Sequence, residues 1–323
     1  MDDNGFRVLI AGGGVAAIEA TLTLQELVPG LVRVELLAPE PYTWYRPAAV
    51  AVPFALGEVR RFELAELAAA AGASFVPGAL AAVDTYRRIA HTSAGAEIDY
   101  VALLIACGAT PTPAIVGAIT FRGPADTDAI SAVLAEVEAG EVRRIAFAAP
   151  WGAAWLLPIY ELVLMTSAWA AARAIDLELS LVTPEHAPLE LFGSVASQTV
   201  SALLDERGIN VYAGAYAVEV RDGGLIVLGS DPVPADRVVA VPRLEGPAIA
   251  GIPQTIDGFI AVDAHGRVPE VEAVFAAGDV TSFPVKQGGL AAQQADAAAE
   301  AIAAMAGADI VPEPFRPVLR GFC

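Results

Sequence analysis

Three consecutive glycines, Gly12-Gly13-Gly14, stand directly after the apolar run Arg7 to Ala11 and directly before a helix-spaced segment from Val15 to Leu27. A short run that is apolar at successive positions suits a parallel strand buried on both faces. In this setting Gly12 permits a tight turn and Gly14 lets the backbone approach a pyrophosphate. Ala17, at the last position of G-x-G-x-x-G/A, lets the helix pack close to the strand, and the helix N-terminus faces the phosphates. The pattern predicts a dinucleotide-binding unit, with Pro29-Gly30 ending the helix and Val32 to Leu37 forming a second strand. Such units hold a ribose with an acid about 20 residues past the turn. Ala38 occupies the strand end and Glu35 lies inside the strand, so Glu40 is favoured over its alternative role as a solvated loop charge.

The pattern recurs. Arg144 to Ala148 reads as a strand, Trp155 to Ala172 as a helix and Leu177 to Val182 as a strand; a helix from Gln198 to Glu206 and a strand from Ile209 to Tyr212 follow. Between the copies lie a long loop, a helix from Glu63 to Ala71, hairpin strands from Val83 to Tyr100, and a strand from Val101 to Ala106 that runs into Cys107-Gly108. Pro111 and Pro113 mark one crossover, and the proline and glycine cluster from Pro242 to Gly258 marks the return. A strand from Val274 to Ala277, the pair Gly278-Asp279 and an Ala-rich helix from Gly289 to Ala306 close the chain. The expected architecture is a three-layer α/β fold of two Rossmann-like dinucleotide-binding domains. One is discontinuous, 1–112 and 249–323, and the other, 113–248, is inserted into it.

Composition removes several classes of function. Nineteen basic and 38 acidic side chains give a net charge of −19, which repels phosphate backbones and anionic lipid heads and argues against nucleic acid as a partner. The longest apolar stretch, Ala153 to Ala172, contains Pro158, Glu161 and Thr166-Ser167, and reads as a buried helix rather than a membrane span. Membrane contact is expected to be peripheral at most. Asp2 and Asp3 stand where a signal peptide keeps basic residues, so a cytoplasmic protein is expected. Cys107 and Cys323 make neither a disulfide framework nor a metal cage, and His91, His186 and His265 lack metal-ligand spacing. Cys107 is expected to be a small buried residue.

With a glycine turn, a strand running into Ala106-Cys107-Gly108, and a late strand ending in Gly278-Asp279, the chain resembles the FAD-dependent pyridine nucleotide–disulfide oxidoreductase superfamily along nearly its whole length. The resemblance implies that the first turn binds the FAD pyrophosphate, that the Gly108 segment closes the first half of the FAD site, and that Asp279 reaches the ribityl and pyrophosphate region. Within the superfamily it looks most like the sulfide:quinone oxidoreductase and type II NADH dehydrogenase branch. Pro41-Tyr42-Thr43-Trp44-Tyr45-Arg46-Pro47 is similar to that branch's flavin-facing loop, which implies cofactor contacts for Arg46 and Pro47; the same resemblance assigns one to Leu80. Pro284-Val285-Lys286-Gln287-Gly288-Gly289 is similar to the lysine segment beside the ring. Lys286 and Gln287 are thereby implied as contacts, the ammonium stabilising negative charge on reduced flavin.

Three departures narrow the function. No Cys-x4-Cys follows the first helix, so disulfide reductase chemistry lacks its thiols, and neither cysteine resembles those that handle sulfur in sulfide:quinone oxidoreductases. The second turn reads Ala149-Pro150-Trp151-Gly152-Ala153-Ala154-Trp155, where Pro150 has no N–H and tryptophans replace bare backbone; this domain is a degenerate NAD(P) fold, although Glu185 could still hold a ribose. Pro158-Ile159-Tyr160-Glu161 resembles the Tyr-Glu pair that brings a carboxylate near the flavin, and a buried Glu161 would relay a proton, whereas an exposed one would be an ordinary helix carboxylate. The expected function is an FAD-dependent oxidoreductase passing electrons from a small donor to a quinone-like or other acceptor. The alternatives are NAD(P)H oxidation and a flavin-binding subunit without turnover of its own. Oligomeric state is left open.

Overall fold

The computed structural model describes residues 5–319. From its start, β1 (Phe6–Ala11) passes through the glycine turn into α1 (Val15–Leu27) and β2 (Val32–Ala38). Next come α2 (Leu64–Ala70), β3 (Ser74–Pro77), an antiparallel meander of strands at Leu80–Asp84, Ile89–Thr92 and Glu97–Asp99, and β4 (Ala102–Ile105). The chain continues through β5 (Ile119–Thr120), α3 (Thr127–Glu138), β6 (Arg144–Ala148), α4 (Leu157–Ala171), β7 (Glu178–Val182), α5 (Ser194–Glu206) and β8 (Asn210–Tyr212). A second meander (Ala217–Arg221, Gly224–Val227, Val233–Pro234) precedes β9 (Arg237–Ala240), and β10 (Val274–Ala276) and α6 (Gly288–Met305) complete the elements used below.

Two compact units result. Among the described residues the first comprises the chain up to Trp44, Arg61–Thr110, and everything from Glu245 onward; the second comprises Tyr45–Arg60 and Pro111–Leu244. The segment Tyr45–Arg60 thus differs from the expected boundary, which kept it with the FAD-binding part. Its 3-10 helix, Arg46–Phe54, buries Ala49, Val50 and Phe54 in the second unit's core.

The first unit is built on a parallel sheet in the order β3-β2-β1-β4-β10. Its strands alternate which face they feed. Val8, Ile10 and Leu104 pack with the Ala-rich faces of α1 and α6, while Leu9, Ala11, Leu103 and Ile105 pack with Val83, Ala90, Tyr100 and Ile260 on the other side. These apolar residues are 5 % exposed or less, which explains why β1 and β4 read as unbroken hydrophobic runs. Small side chains on α1 (Ala16, Ala17, Ala20) and α6 (Ala291, Ala295, Ala298) let the helices lie close together, and Thr23 donates to Asp296 across them at 2.7 Å.

The second unit repeats the scheme, with a parallel sheet in the order β5-β9-β6-β7-β8. One face (Ile145, Phe147, Leu179, Leu181, Val239) meets α3, α4 and α5; the other (Ala146, Ala148, Val182, Val238) meets the second meander. Both units are three-layer dinucleotide-type folds, as the sequence predicts. Among the described residues no helix is long and apolar enough to cross a membrane.

Candidate functional site

In an open parallel sheet the ligand crevice lies outside the carboxyl ends of the strands, where the strand order reverses. In the first unit that point is between β1 and β4. Three turns meet there: Gly12-Gly13-Gly14 after β1, Cys107-Gly108 after β4, and Gly278-Asp279 after β10. The backbone ties them together. Ala106 N–H donates to Ala11 at 2.7 Å, Ala277 N–H to Ile105 at 3.0 Å, and Gly12 N–H to Leu37 at 2.8 Å.

Each glycine has a separate physical reason. Gly12 has φ +144, and a Cβ there would lie 2.1 Å from the Ala106 carbonyl oxygen, so no side chain fits. At Gly14 a Cβ would meet nothing within 4 Å; the open side of this residue is what a phosphate needs for close approach. Gly14 is also the N-cap of α1, and no side chain caps the helix, which leaves its first N–H groups to an anion. Ala17 is fully buried against the sheet. At Gly278 (φ +81) a Cβ would sit 3.0 Å from that of Ala16, so the third turn closes directly on the start of α1. This cradle fits the pyrophosphate of a dinucleotide.

The remaining first-unit residues fall around the same strand ends or behind them. Glu40 is exposed just past β2, whereas Glu35 is 9 % exposed and paired with Arg33 at 3.1 Å. Leu80 is half-buried at the start of the first meander, and Gly108 takes φ +74. Gln287 caps α6, its Oε1 accepting from Leu290 N–H at 2.9 Å. Cys107 corrects an expectation: it is exposed, not buried. Its backbone N would lie 3.0 Å from a Cβ on Gly12, so the peptide packs into the turn, and the protein around the thiol pushes its pKa up to about 11. Cys323 lies outside the described residues.

Lys286 is the chain's only lysine, and it is 7 % exposed. Its Nζ donates to the Thr281 carbonyl and lies 4.1 Å from the centre of the Phe259 ring. Burial pulls its pKa down to about 8, and the Asp279 carboxylate pushes back up. Sequence reasoning missed Gln294, whose buried Oε1 accepts from Gly278 N–H at 2.7 Å and so holds the Gly-Asp turn from α6. A polar residue within an alanine-lined helix was the available signal.

Arg46, Pro47 and Glu161 belong to the second unit. Arg46 and Pro47 are exposed at the start of the 3-10 helix. Glu161, in the first turns of α4, is half-buried and finds no hydrogen-bond partner among the described residues; burial alone lifts its pKa to about 7. The second unit's own turn differs in composition from the first. Residues 149–156 separate β6 from α4, Trp151 there is 70 % exposed, and Pro158 sits in the helix's first turn. The Glu185 carboxylate accepts from the Tyr160 and Thr183 hydroxyls, at 2.5 and 3.0 Å.

Residues 165–303 match the sequence pattern of the family described as pyridine nucleotide-disulphide oxidoreductase. Among solved structures, the sulfide:quinone oxidoreductase of the hyperthermophilic bacterium Aquifex aeolicus superposes with a TM-score of 0.84 at 23% identity, over 92% of this chain and 76% of that one. A ferredoxin reductase from Rhodopseudomonas palustris gives 0.68 at 19%, over 97% and 78%. An NAD-dependent persulfide reductase from A. fulgidus gives 0.70 at 18%, over 96% and 60%. At these identities the likeness is one of fold. Within residues 165–303 the chain also carries the sequence pattern of the pyridine nucleotide-disulphide oxidoreductase family, which is consistent with the glycine cradle of the first unit.

Proposed function

We propose that this oxidoreductase takes electrons from a small donor onto FAD and passes them to a quinone-like or other apolar acceptor. The observation that carries the reading is the second unit's altered turn. Pro150 offers no N–H, and Trp151, Leu191 and Val195 are exposed apolar side chains of the same unit. Such a surface favours an apolar ring over a charged nucleotide. The net charge of −19 also disfavours an acidic protein as acceptor. On the same reading Gly12, Gly14 and Ala17 hold the pyrophosphate, Glu40 the ribose, and Asp279 the ribityl region. A cytoplasmic setting is proposed with it.

When bound, FAD supplies two-electron transfer; the protein supplies binding and charge. Lys286 is assigned to the reduced ring. Lys286→Met is expected to lower the flavin midpoint potential by about 30–60 mV, from the roughly 1.5–3 kcal/mol of a hydrogen bond to a charged group, with 30 mV about 1.4 kcal/mol for two electrons. Equilibrium titration against a reference dye checks this, and an unchanged potential removes the assignment.

The function itself is tested by anaerobic mixing of the FAD-loaded protein with sulfide, a quinol and NADH in turn. Bleaching of the visible flavin band is expected from a non-nucleotide donor, with NADH much slower. Rapid bleaching by NADH overturns the reading in favour of NAD(P)H oxidation. If no donor works until a partner protein is added, the chain is a flavin-carrying subunit.

A further inference from the structure

Glu185 lies just beyond β7, where a dinucleotide fold places an acid for a ribose. Here that carboxylate is engaged from within. Its Oε2 accepts both the Tyr160 hydroxyl, at 2.5 Å, and the Thr183 hydroxyl, at 3.0 Å. Tyr160 is among the largest fully buried side chains. A buried hydroxyl that loses its partner is costly, so this bond holds both residues in place.

The same bond has a consequence for α4. No side chain caps that helix, and Pro158 occupies its first turn. Tyr160 is therefore a polar anchor where the usual one is missing, and Glu161 is the next residue along. We infer that Glu185 is a positioning residue for Glu161: by holding the Tyr160 hydroxyl it pins the start of α4 and keeps the neighbouring carboxylate half-buried. The inference rests on the reading of Glu161 as a proton carrier.

The surroundings support it. Glu185 is faced by Tyr160 from α4, by Thr183 from the end of β7, and by the Leu189 backbone and the Glu190 carboxylate from the turn that follows. Burial raises its pKa most, with Glu190 adding to this, while the three hydrogen bonds oppose it. No charged group shifts Glu161; its raised pKa comes from burial alone, so any loosening of the helix start hydrates it and lowers that pKa.

The test reads the Glu161 carboxyl directly in the FAD-loaded protein. A pH series of difference infrared spectra follows its carbonyl band, assigned by its loss in Glu161→Gln. The wild-type midpoint is expected near 7. In Tyr160→Phe and in Glu185→Ala it should fall by about one unit, a tenfold loss of proton affinity, as water reaches the group. Glu185→Gln, whose amide oxygen still accepts from Tyr160, should keep the wild-type midpoint. Two variants guard against one failing to fold. An unchanged midpoint in whichever folds overturns the inference. If the midpoint moves but the pH profile of turnover does not follow, the positioning role stands and the proton-carrier reading falls.

Discussion

Gly12→Ala is expected to lose FAD. The added methyl would lie 2.1 Å from the Ala106 carbonyl oxygen and 2.5 Å from its carbon, both backbone atoms that no rotamer change can move aside. Either β1 and β4 part at their carboxyl ends or the turn leaves its φ of +144, and both break the cradle. At least a tenfold weaker affinity is expected, and a 1.4 kcal/mol disturbance already produces that. Gly30→Ala is the control. Gly30 also has positive φ, but a Cβ there meets nothing within 4 Å, so the variant carries only the backbone penalty of roughly 1–2 kcal/mol for a left-handed residue and should retain flavin. Bound FAD per chain, read with the melting temperature of both variants, decides. A Gly12→Ala protein as yellow as wild type would place the cofactor elsewhere.

Glu161→Gln should move stability and activity in opposite directions. The native carboxyl keeps its proton up to about 7, whereas the unfolded chain releases it near 4.5. Between those values the native state binds the additional proton, so stability falls as pH rises, and above 7 the full penalty of a half-buried, unpartnered carboxylate is present. Gln removes the charge. Because water still screens part of the group, the gain is about 1–2 kcal/mol at pH 8 and vanishes by pH 4. Turnover should drop about a hundredfold, the low end for a lost proton-transfer group. Denaturant midpoints at pH 4 and 8, beside steady-state rates with the best donor, test both halves. Equal stability at the two pH values would mean that Glu161 is solvated.

What the sequence made legible, and what it did not, follows from how far each feature depends on distant contacts. The β1–α1–β2 unit was readable because its strand is apolar without a break from Val8 to Ala11 and its turn has a single chemical solution at Gly12. α1 was placed at the bounds the structure shows, since Gly14 starts it and Pro29-Gly30 follows it. The meander from Ala217 to Pro234 went unread because its strands are short and broken by a register shift between Ala217 and Glu219. Tyr45–Arg60 could not be assigned to its unit, because only packing by Ala49, Val50 and Phe54 decides that. Cys107 was misplaced for a related reason: its exposure depends on how the turns after β1 and β4 pack, which a small residue beside a glycine does not announce. Gln294 and the Tyr160–Glu185 bond are long-range pairings, and one strand of text carries no trace of the partner.

The burial of Lys286 has a practical result. Amine-selective reagents acting on this chain have a single side-chain target, and Phe259 and the Thr281 carbonyl shield it. Apart from the terminal amine, acylation therefore records how often the loop around Thr281 opens. A chemist need only count acyl groups, with and without bound flavin, to learn whether the cofactor locks that door.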